Sequence, residues 1–181
     1  MKSSALLVVD VQPAYRDWSE TVVDGVVKRI NNTRKPVIVM WVGEGLTDDT
    51  EADVFNYLHY NGARPGKLSQ CRFIEKDYGF FRGWMDNGVS SSTIVKVGKE
   101  MLNTRRHSSE DLDLEAVLEA DFEEVAGLAS SIATPSFDSR LLSSFNNFDT
   151  CGGGGQECLA EIELYLSMLN KPYTRLDELV Y

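Results

Sequence analysis

The run Ala5-Leu6-Leu7-Val8-Val9-Asp10-Val11 constrains the fold more than any other feature of this chain. An uninterrupted apolar run that ends in an acid is typical of a strand buried on both faces of a parallel sheet. Gln12-Pro13 ends the run, and a second apolar run covers 37–42. The residues between the runs place Val22, Val23, Val26, Val27 and Ile30 at helical spacing, with Ser19 as candidate N-cap. Strand, helix and strand within about forty residues predict a right-handed βαβ unit, with 5–11 as a central strand.

Further segments extend this α/β pattern. The segment 93–97 has strand propensity, but the spacing of Ile94, Val97 and Met101 favours a helix. We predict helices near 51–60, 91–105, 112–127 and from Leu159, and strands at 70–76, 147–151 and 172–176. The chain of 181 residues is predicted to form a single domain, 1–181, with a helical insertion at about 84–140.

A glycine-rich segment, Cys151-Gly-Gly-Gly-Gly-Gln-Glu-Cys158, precedes the last predicted helix. The amides of such a turn, with the N–H groups at a helix start, form a site for negative charge. A thiol at this position favours its thiolate form, so the segment is typical of a nucleophile with an oxyanion hole. The alternatives are a flexible hinge beside a buried cysteine, or a Cys151–Cys158 disulfide that acts as a redox switch.

The charge and the cysteine content limit which classes of partner, cofactor and compartment are expected. The formal net charge is −10, from 28 acidic and 18 basic residues, which disfavours nucleic acid and anionic membranes as partners. The apolar runs are too short to cross a membrane, and no signal peptide is expected. Three cysteines do not form a disulfide framework, and two separated histidines disfavour a zinc site. We therefore expect a cytoplasmic protein that needs no metal or other cofactor, takes a small-molecule substrate and forms a homo-oligomer.

Three chemically active side chains fall at predicted strand ends or just beyond. Asp10 ends the first strand, Lys76 the third, and Cys158 follows a later strand. Ligands of open parallel sheets bind beyond the carboxyl ends of the strands, so these groups are expected to meet there. Lys96 is the alternative to Lys76, because its segment has strand propensity. The structural alternatives are a turn-capping Asp10, a surface lysine and a core cysteine.

These segments resemble the isochorismatase-like, or nicotinamidase-related, cysteine hydrolases. The resemblance is carried by 6–12, by Glu75-Lys76-Asp77-Tyr78-Gly79-Phe80-Phe81, and by Gly154-Gly155-Gln156-Glu157-Cys158-Leu159. It covers about half the chain and implies a three-layer α/β/α sandwich with a mainly parallel sheet. It also implies hydrolysis of a small amide or related C–N compound through a thioester, with Asp10 as base, Lys76 as thiolate partner and Cys158 as nucleophile.

The substrate-binding residues are expected beside this triad. The resemblance implies that the backbone N–H groups of Gly154 and Cys158 stabilise the oxyanion. Gly155 and Gln12 lie in the segments that carry the resemblance and are further candidates for binding the oxyanion or the substrate. Tyr78, Phe80 and Trp84 are candidates to line the pocket. Arg82 is a candidate anchor for a substrate carboxylate, although a surface salt bridge is an equal alternative.

The chain also departs from the family pattern. The stretch between Lys76 and Cys158 is long, and Gly-Gly-Gly-Gly-Gln-Glu replaces the family's Gly-Val-x-Thr-like segment before the cysteine. The Asp-x-His-x-His motif of the metal-dependent nicotinamidases is replaced by 44–49, which holds no histidine. A catalytically inactive binding or scaffold protein on the same fold is therefore the alternative to a hydrolase.

Overall fold

The computed structural model describes residues 4–128 and 130–181 and contains a five-stranded, all-parallel sheet with helices around it. The strands are β1 (Ser4–Val9), β2 (Val37–Trp41), β3 (Arg72–Glu75), β4 (Asn147–Gly152) and β5 (Tyr173–Val180). The helices are α1 (Arg16–Ser19), α2 (Val23–Asn32), α3 (Glu51–Tyr60), α4 (Pro65–Leu68), α5 (Arg82–Asp86), α6 (Ser91–Thr104), α7 (Leu114–Leu118), α8 (Phe122–Ala126), α9 (Arg140–Ser143) and α10 (Cys158–Met168). The predicted α/β fold with a parallel sheet is thus confirmed.

Strand β1 lies at the centre of the sheet, as predicted. The strand order is β3-β2-β1-β4-β5. In the register of the central pairs, Val9 lies opposite Met40 of β2 and Gly152 of β4. All strand pairs are parallel, so the residues after β1, β3 and β4 emerge at the same edge of the sheet, and the strand order reverses at β1. This edge is where parallel sheets collect their ligands.

The main hydrophobic core lies against one face of this sheet. Leu6 and Val8 of β1 pack in a cluster with the apolar stripe of α2 and with Val54 and Leu58 of α3. Leu7 and Val9 point to the other face and are equally shielded from solvent. Burial on both faces explains why the β1 sequence is an unbroken apolar run rather than an alternating one.

Three elements differ from the sequence-based predictions. Ser19 does not cap a helix: it ends α1, and its hydroxyl lies 2.8 Å from the Tyr57 hydroxyl. The single helix predicted at 112–127 is instead α7 and α8, because Glu119 adopts a left-handed conformation (φ 57°) and Asp121 caps the next helix. Strand β5 runs to Val180, with an irregularity in its pairing to β4 between Thr150 and Gly152.

The chain divides into two compact units. The first holds 1–77, 137–160 and 172–181, and therefore the whole sheet; the second holds 78–136 and 161–171. In the second unit, Ile94, Val97 and Met101 form the buried stripe of α6, so the helical prediction for this segment is confirmed. Among the described residues, no helix is long and apolar enough to cross a membrane. The single-domain assignment stays a prediction.

Candidate active site

Asp10 occupies a constrained position directly after β1. Its φ is 54°, in the left-handed region that few residues other than glycine adopt. Its N–H donates to the Met40 carbonyl at 2.9 Å, and the residue is 1% exposed. Such backbone strain costs about 1–3 kcal/mol and persists only where neighbouring groups hold it. The carboxylate is therefore carried by backbone that its surroundings hold in place.

Lys76 lies beside this carboxylate. Its N–H donates to the Trp41 carbonyl at 2.8 Å, which continues the β2–β3 pairing beyond the last strand residue. Its Nζ lies 3.0 Å from Asp10 Oδ2, and the lysine side chain is fully buried. By contrast, Lys96 lies on α6 in the second unit, half exposed, with its Nζ 3.7 Å from a carboxylate oxygen of Glu119. Of the two candidate lysines, Lys76 is the one paired with Asp10.

Burial dominates the protonation of Asp10. Desolvation raises the pKa of Asp10 above its ordinary value. The charge and hydrogen bonding of Lys76 oppose this rise, and so does a hydrogen bond from Cys158, but burial outweighs them. Asp10 thus pairs with Lys76 and is influenced by the nearby Cys158 thiol, and its carboxyl group holds a proton more readily than an exposed aspartate does.

Cys158 opens α10 directly after the glycine segment and is half-buried. Gly154 adopts φ 58°, and a Cβ there would lie 2.9 Å from the Glu157 Cβ and 3.0 Å from the Cys158 amide nitrogen. Glycine is therefore required for the turn that delivers the chain into the helix. The Leu159 N–H donates to the carbonyls of Gly153 and Gly154 at 3.0 and 3.2 Å, which ties the first helical turn to the loop.

The backbone N–H groups of the glycine segment differ in whether they donate a hydrogen bond within the protein. The Gly153 N–H donates to the Val9 carbonyl at 2.7 Å, and the Gly155 N–H donates to the Tyr181 carbonyl at 3.0 Å. Within the part of the chain that the structure describes, the Gly154 N–H has no hydrogen-bond acceptor. Gly154, a predicted oxyanion donor, therefore keeps its N–H available, whereas the N–H of Gly155 is bonded within the protein.

Gln12 braces the segment that follows Asp10. Its Oε1 accepts from the Val42 N–H at 2.9 Å, and its Nε2 donates to the Val42 carbonyl and to Asp49 Oδ2, both at 2.8 Å. The same Asp49 oxygen accepts from the Ala14 N–H at 2.9 Å. The fully buried Gln12 amide thus joins the end of β1 to the end of β2.

Two tyrosines that interact with Asp10 and Cys158 were not predicted from the sequence. Burial, followed by the charges of Asp10 and Cys158, raises the pKa of both Tyr15 and Tyr181. The Tyr181 hydroxyl donates to the Asp10 carbonyl oxygen at 2.8 Å. Tyr15 follows Asp10 by only five residues, and this short separation is a signal that could have marked it as a candidate site residue. No sequence pattern marks Tyr181, because it is 171 positions from its partner.

The remaining predicted substrate-binding residues belong to the second unit. Phe80 and Trp84 are buried, and the Trp84 indole N–H donates to the Ser130 carbonyl. Tyr78 is 47% exposed. Arg82 pairs with Asp86 on the same helix at 2.9 Å, which is the salt-bridge alternative considered for it. Their contact with substrate stays a prediction.

The other cysteines lie in less reactive surroundings. Cys151 is fully buried in the core cluster, and burial raises the pKa of its thiol to about 12. Burial also raises the pKa of Cys71 to about 11, despite the nearby charge of Lys67. All three cysteines are reduced. Cys158 is therefore the cysteine that combines a helix start with a carboxylate partner.

Potential metal ligands do not cluster in the described part of the chain. Within 4–128 and 130–181, no group of three or more His, Cys, Asp and Glu side chains is arranged to hold a metal ion. In the segment after β2, Asp49 is occupied by Gln12 and Ala14 rather than grouped with other acids. A metal-independent site stays a prediction.

Comparison with known proteins adds one structural likeness. Neither the family models nor the curated proteins match the chain. Among solved structures, the chain is similar to a ribonuclease, MAR1, from Caenorhabditis elegans, with 12% sequence identity and a TM-score of 0.47. The likeness covers 99% of this chain and 65% of that one, so this chain spans less than two thirds of that protein's length.

Proposed function

We propose that the protein is a cysteine hydrolase that cleaves a small amide or related C–N compound through a thioester on Cys158. The observation that carries the proposal is the convergence on Asp10: this one buried carboxylate lies 3.0 Å from the Lys76 ammonium and near enough to the Cys158 thiol for the thiol to influence its pKa. A thiol nucleophile, a base and a cation gathered around one carboxylate are a combination suited to covalent catalysis.

In the proposed reaction, Asp10 accepts the proton of the Cys158 thiol, and the thiolate attacks the carbonyl carbon of the amide. The tetrahedral intermediate collapses with cleavage of the C–N bond, and Asp10 gives its proton to the leaving nitrogen. Water then attacks the thioester while Asp10 accepts a proton from it. Cleavage of the S–C bond releases the carboxylic acid, and Asp10 gives the proton that it took from water to the departing sulfur, which restores the thiol.

The raised pKa of Asp10 supports this double role. A carboxyl group whose pKa lies nearer to the working pH exchanges protons more effectively than one that stays ionised throughout. The ammonium of Lys76 keeps a negative charge within the cluster tolerable, whether it rests on the carboxylate or on the thiolate. Each partner of Asp10 thus has a defined task.

Once Asp10 has accepted the thiol proton and is neutral, the remaining local charges favour a thiolate at Cys158. Glu157 precedes it and carries a charge that opposes thiolate formation, but Glu157 is exposed, so water screens its effect. Lys76 is fully buried, and a buried charge acts through a lower effective dielectric. We infer that the effect of the lysine outweighs that of the glutamate.

Oxyanion stabilisation is assigned to the start of α10. Backbone donors that face a developing negative charge supply a large part of the rate in acyl transfer. The Gly154 N–H, which has no acceptor among the described residues, and the Cys158 N–H at the helix start are the proposed donors. Gln12 is assigned a bracing role, because its buried amide is bonded to Val42 and Asp49.

The test is a panel of small amides, ureido acids and N-carbamoyl compounds, with intact-protein mass spectrometry after rapid quenching. We expect at least one compound to be hydrolysed and to leave an acyl mass on Cys158 that hydroxylamine removes. Cys158→Ala should abolish both signals, whereas Cys71→Ala should keep them.

Two results would contradict the proposal. One is hydrolysis that survives in Cys158→Ala, which would move the nucleophile elsewhere. The other is a wild-type protein that neither hydrolyses any compound of the panel nor forms an adduct, while isothermal titration shows that some of them bind. That outcome would favour a binding or scaffold protein on the same fold.

A further inference from the structure

Tyr181 spans the distance between the outer strand β5 and the central strand β1. It follows β5, and β4 lies between β5 and β1 in the sheet. Its hydroxyl nevertheless donates to the Asp10 carbonyl oxygen at 2.8 Å. The bond therefore reaches across the end of β4 to the residue that carries the proposed base.

The backbone of Tyr181 brackets the glycine segment. Its N–H donates to the Gly152 carbonyl at 3.2 Å, and its carbonyl accepts from the Gly155 N–H at 3.0 Å. These bonds attach Tyr181 to both ends of the segment that leads into Cys158. One residue is thus hydrogen-bonded to the two chain segments that carry the proposed base and nucleophile.

The position of the Tyr181 phenol ring explains why residue 153 is a glycine. A Cβ on Gly153 would lie 2.1 Å from the Tyr181 hydroxyl oxygen and 2.4 Å from its Cζ. Real Cβ atoms do not approach other heavy atoms this closely, so only glycine lets the ring pass. The Tyr181 hydroxyl can therefore reach Asp10 only because residue 153 has no side chain.

We propose that Tyr181 is a positioning residue that holds Asp10 in its left-handed backbone conformation, and with it the alignment of the Asp10 carboxylate. Asp10 at φ 54° is a strained residue, and strain persists where surrounding bonds over-determine the backbone. Its N–H is bonded to Met40 and its carbonyl to Tyr181, so both backbone polar groups of this residue are held. The consequence for catalysis rests on the proposed function; the consequence for geometry does not.

The phenol is suited to act as a permanent donor. Burial and the negative charges of Asp10 and Cys158 raise the pKa of Tyr181, so its hydroxyl stays protonated over the ordinary pH range. A group that keeps its proton positions Asp10 without exchanging protons in the reaction. Tyr181 is therefore distinct from the proposed base.

The first test removes only the hydroxyl. In Tyr181→Phe, we expect iodoacetamide to alkylate Cys158 about three- to tenfold more slowly at neutral pH, because an effect of this size is expected from the loss of one hydrogen bond. The pH dependence of the rate of Cys158 alkylation should also shift. Tyr57→Phe is the matched control, because it removes a buried hydroxyl contact of 2.8 Å, to Ser19, that does not involve Asp10. We expect the control to lose similar thermal stability without the shift in profile.

The second test uses the steric relationship with Gly153. Gly153→Ala should impair Cys158 alkylation strongly in the wild-type background, because the new Cβ meets the Tyr181 ring. In the Tyr181→Ala background, that ring is gone, so the same substitution should have a much smaller effect. Additive effects in this double-mutant cycle would contradict the proposed coupling.

Crystal structures separate this inference from the proposed function. In Tyr181→Phe, we expect Asp10 to leave the left-handed region or its Oδ2 to move away from Lys76 Nζ. If Asp10 moves while the wild-type protein shows no hydrolysis, Tyr181 stands as a positioning residue and the proposed function fails. If Asp10 and the alkylation profile are both unchanged in Tyr181→Phe, the inference is wrong even where hydrolysis is found.

Discussion

Lys76 Nζ and Asp10 Oδ2 lie 3.0 Å apart, and both side chains are almost completely shielded from solvent. An ion pair in such a place is not a reliable source of stability, because removing two charges from water offsets much of their attraction. Breaking it is costly, however, since the remaining charge is left buried and unpaired. A buried pair beside Cys158 is the arrangement expected if Asp10 and Lys76 have the catalytic roles that we propose.

Replacing Lys76 with Met should lower the free energy of unfolding by about 3–5 kcal/mol at neutral pH. Without the ammonium, burial is opposed only by the weaker effect of Cys158, so the pKa of Asp10 rises further. A group with a raised folded-state pKa is most stabilising when protonated, so the deficit should shrink as the pH falls below that pKa. Urea denaturation between pH 4 and 8 measures this trend.

Lys96→Met is the control for that experiment, because Lys96 is half exposed and pairs only loosely with the exposed Glu119. We expect it to change stability by about 0.5 kcal/mol or less, and to leave Cys158 alkylation unchanged. If Lys96→Met slows alkylation and Lys76→Met does not, the assignment of the lysine is wrong.

Cys158 should react with iodoacetamide before Cys71 and Cys151 at neutral pH. Burial raises the pKa of Cys71 to about 11 and of Cys151 to about 12, so few thiolates form there. Cys158 is half-buried at a helix start beside Asp10. Peptide mapping over a time course gives the order of labelling. Equal or slower labelling of Cys158 would count against a nucleophilic role.

Asp149→Asn should destabilise the first unit in a pH-dependent way. Although burial raises the pKa of Asp149, hydrogen bonds and charges from Lys35 and Arg29, at 2.7 and 2.9 Å, outweigh it and lower the pKa. Such a group stabilises the fold above its ordinary pKa of 3.8, and this stability is lost as the pH falls through the folded-state value. Because both cations are partly exposed, we expect a deficit of about 1 kcal/mol at pH 7.

The Asp149→Asn deficit should vanish in strong acid, where the wild-type carboxylate is also protonated. Chemical denaturation of both proteins from pH 2.5 to 7 provides the comparison. A deficit that stays constant over this range would show that packing, rather than charge, explains the loss.

Glu161→Gln should weaken the second unit. Glu161 is 2% exposed, and its two carboxylate oxygens accept from the Gly79 N–H at 3.1 Å and the Phe81 N–H at 2.7 Å. A glutamine presents one acceptor and one donor, so one backbone donor would face an NH2 group. We expect a loss of about 1–3 kcal/mol in denaturant unfolding. Glu123→Gln, on the exposed side of α8, should be neutral; equal effects would contradict this reading.

Chelators should leave the hydrolytic activity unchanged. No cluster of three potential ligands exists among residues 4–128 and 130–181, and the segment 44–49 offers no histidine. Activity toward a substrate of the panel is measured before and after dialysis against EDTA. Loss of activity that zinc or iron restores would show that metal independence is wrong.

The sequence by itself determined the elements whose pattern is local. Uninterrupted apolar runs at 5–9 and 37–42, joined by an amphipathic helix, are sufficient to predict a parallel sheet with β1 at its centre. The spacing of Ile94, Val97 and Met101 similarly outweighed the strand propensity of its segment. These predictions succeed because periodic burial of side chains is written into neighbouring residues.

Only the tertiary structure decided how distant residues meet. The choice of Lys76 over Lys96 as the partner of Asp10, the hydrogen bonds of the Gln12 amide and the contact of Tyr181 with Asp10 past Gly153 all depend on strand order and register. The break of 112–127 into two helices depends on the left-handed Glu119, which side-chain periodicity does not reveal. Hydrogen bonds and ion pairs between residues far apart in sequence leave no periodic signal, because their partners come together only when the sheet has assembled.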